Sequence, residues 1–280
     1  MNRKRVTKWL KILLLVFLLI LIIFPIYWIF IASISPSESF LSVDLSWLIP
    51  KKITFKHYLD ILSTRNYRIY YWNSLVISTI TTVLTLVVST MGGYSLGRLR
   101  FCGRNALSQM VLVTYLVPSI LLLIPLFQFI TKFHMQDSYL GLILSYMTFA
   151  LPFCLWMLKG FFAGLPANME DAALIDGTGV FGAFWRIILP LASPGLISAA
   201  MFTFLLCWNE YLFAMVFINN DSLRTIPVGV VSNFVTVTMG PSDWSRVMAS
   251  AILASLPIYI IFIGLQKYFV AGLAAGSIKE

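Results

Sequence analysis

The residues that could do chemistry in this chain are few, and they sit in two places. Between Phe161 and Pro194 a polar, glycine-punctuated segment separates two apolar runs. Pro166 and Asn168 open it, Glu170, Asp171, Ala172 and Ala173 follow, and it breaks at Asp176-Gly177. Helical spacing resumes through Phe181, Phe184, Trp185 and Ile188 and stops at Leu189-Pro190. Asn168 can cap a helix, Asp171 stands three residues on, and both acids favour the positive end of a helix dipole. Gly177 can take positive φ without cost where that helix ends, and Pro190 and Pro194 can restart one. The segment reads as helix, turn, helix. Its face of Ala172, Ala173, Leu174 and Phe181 suits docking into a cleft of a partner protein.

The second place is Trp208-Asn209-Glu210-Tyr211, late in an apolar run. A carboxylate in a spanning helix costs several kcal/mol unless it is paired or hydrated. If that helix enters near Gly195, Glu210 lies about 22 Å across, in the outer half of the bilayer. A ring beside an amide and a carboxylate suits a polyhydroxylated ligand. It equally suits a structural network between helices, or a residue that simply reaches the outer interface.

Enzyme chemistry is not encoded. The sequence has no G-x-x-x-x-G-K-[ST], so it offers no P-loop for ATP. His57 and His134 fall in loops without Cys or acidic partners at metal spacing, so neither a metal nor another cofactor is expected. No nucleophile is placed beside a base. The three cysteines, Cys102, Cys154 and Cys207, are too scattered for a disulfide framework and read as small core- or lipid-facing residues.

The elements that hold these residues are membrane spans. Of 280 residues 59% are hydrophobic and 11% charged, against about 25% charged in a soluble domain, and mean hydropathy is +0.88. Six charge-free runs are long enough to cross a bilayer: Lys11 to Glu38, Arg68 to Arg98, Arg104 to Lys132, Asp137 to Lys159, Arg186 to Glu210, and Arg246 to Lys267. The fold class is therefore all-α, an integral membrane protein with six transmembrane helices. The first run is too long for a signal peptide and reads as a retained anchor. Its domain plan is a tail over 1–11, a first span over 12–34, five further helices over 70–270 with the loop 161–194 inside them, and a tail over 271–280. The net charge of +9 comes from short basic clusters beside apolar runs, which fits membrane topology and not nucleic acid. Those clusters put both termini and the 161–194 segment in the cytoplasm. Of the two long outer stretches, Asn219 to Ser245 is rich in Gly and Pro and is expected to be an extended loop with no helix. Pro25, Pro118, Pro125, Pro152 and Pro257 lie inside spans. Ordinary kinked packing is the expectation for each, as close helix contact is for Gly92-Gly93.

The 161–194 segment resembles the "EAA" loop of bacterial ABC importer permeases. That pattern is an acid-Ala-Ala triplet, three residues, Gly, nine residues, then Ile-x-Leu-Pro. Here it reads Asp171-Ala172-Ala173, Leu174 to Asp176, Gly177, Thr178 to Arg186, then Ile187-Ile188-Leu189-Pro190. Asp171 stands where that family usually has Glu, with Glu170 just before it. Asn73-Ser74, Trp208 to Tyr211 and the C-terminal GLQKYFVAGLAAGSIKE resemble the maltose-type carbohydrate permeases, and specifically their smaller, six-helix, MalG-like subunit. The resemblance covers nearly the whole chain, most firmly from about residue 70 onward.

The resemblance implies a type I, MetI-like permease fold in the cell membrane of a bacterium or archaeon. It implies work as a heterodimer with a MalF-like second permease, with two cytoplasmic ATPases and an extracytoplasmic sugar-binding protein. Glu170, Asp171, Ala172, Ala173, Asp176, Gly177, Ile187, Leu189 and Pro190 would couple to the ATPases. Asn73, Ser74, Trp208, Asn209, Glu210 and Tyr211 are candidates for the translocation path of a carbohydrate. An ABC permease for a non-sugar solute shares the docking loop and is the alternative. A secondary transporter would need charged pairs in mid-membrane, which the spans lack.

Overall fold

The computed structural model describes residues 3–36, 50, 52–166, 177–234 and 241–277. Among these it is helical without strands, in the order α1 (Arg3–Ile34), α2 (Lys56–Ser63), α3 (Arg65–Arg98), α4 (Arg104–Leu116), α5 (Ser119–Lys132), α6 (Tyr139–Gly164), α7 (Val180–Leu191), α8 (Ser193–Trp208), α9 (Leu212–Phe217), α10 (Ile226–Phe234) and α11 (Pro241–Ser277). Four single helices are long and apolar enough to cross a membrane. Two bent pairs, α4 with α5 and α7 with α8, bring the spans to as many as six.

Local chemistry explains the boundaries. α1 is apolar on every side and exposed along most of its length, as a lipid-facing span must be. Between α4 and α5 the chain bends by 94°. Val117 there is extended, as a residue preceding proline prefers, and Pro118 has no N–H with which to continue the helix. Pro118 thus does more than kink packing: it separates two helices. Pro25, Pro152 and Pro257 instead lie inside continuous helices. Ser138 starts α6, its Oγ accepting from Gly141 N at 3.1 Å.

The expectation of a helix-free outer loop over Asn219 to Ser245 is overturned. α10 occupies Ile226–Phe234, and α11 already begins at Pro241. Pro227 and Pro241 sit in first turns, where proline's fixed φ and missing N–H cost nothing. They mark helix starts. His57, expected in a loop, lies in α2.

The chain forms two compact units, Met1–Arg68 with Gly229–Leu256, and Ile69–Val228 with Pro257–Glu280. In the first, Ser33 Oγ and Tyr58 Oη share a hydrogen at 2.6 Å, and His57 Nε2 donates to Ser35 O at 3.3 Å. Tyr67 Oη donates to Ser250 O at 3.1 Å.

In the second unit α3 carries a buried face of small hydroxyl residues, Ser74, Ser78, Thr81, Thr85 and Ser89, at helical spacing. Glycines finish that face. A Cβ on Gly93 would lie 2.9 Å from Leu158 Cβ and 3.1 Å from Lys159 N, and one on Gly97 2.9 Å from Lys159 O. Small residues let α3 and α6 meet backbone to backbone, as helices must where lipid supplies no hydrophobic drive. One apolar cluster gathers Ile77, Leu142, Tyr146, Cys207 and Phe217. Another gathers Tyr94, Cys154, Phe162, Phe184 and Ile188. Cys102 is exposed, whereas Cys154 and Cys207 are buried.

Candidate functional site

The segment 161–194 leaves the end of α6 beside Arg98. Arg98 donates from Nη1 to Leu165 O at 2.9 Å and from Nη2 to Pro166 O at 3.2 Å. It thereby ties down the two carbonyls that follow the end of α6. Glu170, Asp171, Ala172, Ala173 and Asp176 lie outside the described residues. The chain returns at Gly177 with φ +79°, and no atom would crowd a side chain there. α7 then widens to a π-helical stretch over Phe184–Ile188, Leu189 N donating to Phe184 O. Pro190 explains the widening, because its ring excludes an ordinary bond to the carbonyl four residues back. Ile188 and Phe184 turn inward against Tyr94 and Phe162. Phe181 and Trp185 stay 75% and 53% exposed, leaving an apolar surface beside the segment. Ile187 and Leu189 are half-buried and Pro190 is exposed.

The translocation-path candidates separate into two groups. Asn73 and Ser74 belong to a polar clasp at the start of α3. Asn73 Nδ2 donates to Ser222 O and Arg224 O at 3.0 and 2.9 Å. Tyr139 Oη donates to Asn73 Oδ1 at 2.6 Å, and Ser74 Oγ accepts from Ile226 N at 2.8 Å. Tyr70 Oη donates to Asp221 Oδ1 at 2.7 Å. Asp137 Oδ1 accepts from Asn219 N and Asn220 N at 2.6 and 2.7 Å. Both residues are buried and spoken for; their partners tie the segment 219–226 to α3 and α6.

Trp208 to Tyr211 mark the end of α8. Trp208 is buried, edge-on to Tyr71 at 5.6 Å and stacked with Phe204 at 5.5 Å. Asn209 is exposed and returns its amide to Leu205 O at 2.8 Å. Tyr211 is half-buried. Glu210 sits in a three-residue break between α8 and α9 and not inside a continuous helix. Its Oε1 accepts from Phe213 N at 2.9 Å and its Oε2 from Ala214 N at 3.1 Å. The buried hydroxyl of Tyr146, on α6, faces this carboxylate.

Glu210 lines a cleft of about 470 Å³ whose walls include Tyr115, Pro118, Ser119, Phe149 and Phe213. Two helix breaks, at Val117-Pro118 and at Asn209 to Tyr211, thus meet at one cavity. Such backbone is tolerated at membrane depth where it faces water or protein. The sequence pointed to Glu210 but not to Tyr115, Ser119 or Phe149. The one signal for them was Pro118, treated above as ordinary packing. The clasp residues Tyr70, Asp137 and Tyr139 carried no signal beyond their types. Among the described residues no group of His, Cys, Asp or Glu could hold a metal ion.

Comparison with known proteins gives these features a context. Residues 89–274 match the family described as binding-protein-dependent transport system inner membrane component. The chain is 34% identical over 262 residues to the trehalose/maltose transport system permease protein MalG of Thermococcus litoralis, covering 93% of this chain and 92% of the relative. It is 34% identical over 264 residues to the diacetylchitobiose uptake system permease protein DasC of Streptomyces coelicolor, covering 94% of each. Among solved structures, a chain of a bacterial ABC transporter involved in import of the acidic polysaccharide alginate shares the fold, with TM-score 0.83 at 22% identity over 96% of this chain and 99% of that one.

Proposed function

The chain belongs to the family of binding-protein-dependent transport system inner membrane components, and from that premise we propose that it is the transmembrane permease subunit of an ATP-driven carbohydrate importer. The observation that carries this reading is end-to-end similarity to permeases named for trehalose/maltose and for diacetylchitobiose. A cleft with a carboxylate and aromatic rings at two broken spans supports it. The substrate is a sugar or oligosaccharide, and a second, MalF-like permease completes the path.

ATP is bound and hydrolysed by two partner subunits on the cytoplasmic side, where both termini also lie. The loop 161–194 couples them to the core over 70–270, with the tail over 271–280 beside them. Its acidic residues, Glu170 and Asp171, meet the ATPase, Gly177 sets the turn, and α7 passes the motion on. The apolar surface of Phe181 and Trp185 beside Gly177 supports that role. As the spans tilt, the cavity opens outward to receive sugar from an extracytoplasmic binding protein. The polar clasp at Asn73 holds the outer segment in place during that exchange.

Reconstitution tests the proposal. The chain, its partner permease, the ATPase and the binding protein in proteoliposomes should take up a saccharide only with ATP present. ATP-dependent uptake of a non-sugar solute, with no saccharide moved, would defeat the carbohydrate reading.

A further inference from the structure

We infer that the cleft beside Glu210 admits uncharged saccharides and turns away those bearing carboxylate or sulfonate groups. This rests on the carbohydrate-import reading and narrows its substrate class.

Charge is the first ground. Glu210 is held in place by two backbone N–H groups, at 2.9 and 3.1 Å, so it cannot swing away from the cleft. The buried Tyr146 hydroxyl on α6 faces the same carboxylate and holds it further. No Lys or Arg lines the cavity. The three stretches that build it, 105–131, 140–158 and 187–217, contain no charged residue other than Glu210. An anionic sugar entering here would meet a carboxylate with no counter-ion among the residues that line the cleft, and like charges repel.

The ring array is the second ground. Phe149, Phe153 and Trp156 fall on one face of α6, spanning about 10 Å from the cleft. Tyr115 stacks on Trp156 at 6.3 Å and 10° and tilts against Phe153 at 5.3 Å. Phe153 packs on Phe202 at 3.8 Å. Tyr115 and Trp156 remain 40% and 45% exposed. Flat apolar faces of this kind suit the C–H face of a sugar ring.

The fold does not set this preference, since an alginate transporter shares it and is named for an acidic polysaccharide. Residue choice at the cleft sets it.

The test uses the assembled importer in nanodiscs without binding protein, so that only the membrane path selects. Saturation-transfer NMR is run with neutral trisaccharides of glucose, xylose and arabinose and with trigalacturonate. A neutral trisaccharide should give ring C–H signals, with trigalacturonate weaker by roughly tenfold or more. Tyr115→Ala should weaken the neutral signal several-fold, and Glu210→Gln should raise the trigalacturonate signal. Equal signals from both classes in the wild type, no neutral signal, or no response to Glu210→Gln would overturn the inference. ATP-driven uptake with the binding protein present separates the two levels. Uptake of an oligouronate would sink the charge preference alone, whereas uptake of no saccharide would sink the import reading itself.

Discussion

Tyr139 and Asn73 are locked together, the phenol hydroxyl donating to the amide oxygen at 2.6 Å across 66 residues of sequence. That bond fixes which way the Asn73 amide points. Its two N–H hydrogens are left for the carbonyls of Ser222 and Arg224. With Asn73 only 2% exposed, Asn73→Ala would remove these part-buried bonds at a cost of about 1–3 kcal/mol. Asn73→Asp would turn the donors into acceptors facing carbonyls and cost more. Thermal unfolding of the detergent-solubilised protein, with Tyr139→Phe as the milder comparison, checks the order Asp, Ala, Phe.

Gly177 has φ +79° and open space around it, so substitutions there act through backbone torsion alone. Gly177→Val would cost about 1–2 kcal/mol in the left-handed region and tilt the docking segment. ATP hydrolysis stimulated by the binding protein should fall sharply, with the protein still inserted in the membrane. Gly177→Asn, which tolerates that region, should restore most of it. Equal activity in both variants would separate the turn from coupling.

Gly97 faces backbone, an added Cβ meeting Lys159 O at 2.9 Å, while Gly160 on the facing helix has nothing near its missing Cβ. Gly97→Ala should therefore destabilise the α3–α6 contact by about 1–3 kcal/mol. Gly160→Ala should leave thermal stability unchanged or slightly raised. A matched gain in both, as helix propensity alone would give, would show that the close approach at Gly97 does not decide the outcome.

Burial holds the His57 imidazole below its ordinary value, and the nearby Arg246 guanidinium adds to that. Its folded-state value being the lower one, the unfolded chain binds the proton more readily. The stability that goes with a neutral, buried His57 is therefore complete above the ordinary value of 6.5 and is lost as pH falls below it. Melting temperature should drop between about pH 7.5 and about pH 5.5 more in the wild type than in His57→Gln, whose amide keeps a donor but does not titrate. Parallel pH profiles would contradict this.

The sequence by itself determined the class, the helical spans, the glycine turn at 177 and the close approach at Gly92-Gly93. Each depends on composition or on neighbours within a few positions. Hydropathy over twenty residues reports a span because the bilayer core rewards every apolar residue locally. It also singled out Glu210, since one acid in an apolar run is conspicuous wherever it folds. Gly and Pro in 219–245 misled, because proline both breaks a helix interior and opens a first turn, and only the following residues' packing decides between them.

What only the tertiary structure decided is which side chains keep Glu210 company. Tyr115, Ser119, Phe149 and Glu210 come from three different spans, and no periodicity in one span carries information about another. Asn73 looked free to meet a ligand until the fold delivered the carbonyls of 222 and 224 to its amide. Long-range hydrogen bonds and a cavity between helices are set by how the helices pack and bend, and that choice is made by shape and by the need to satisfy buried polar groups, not by any local signal along the chain.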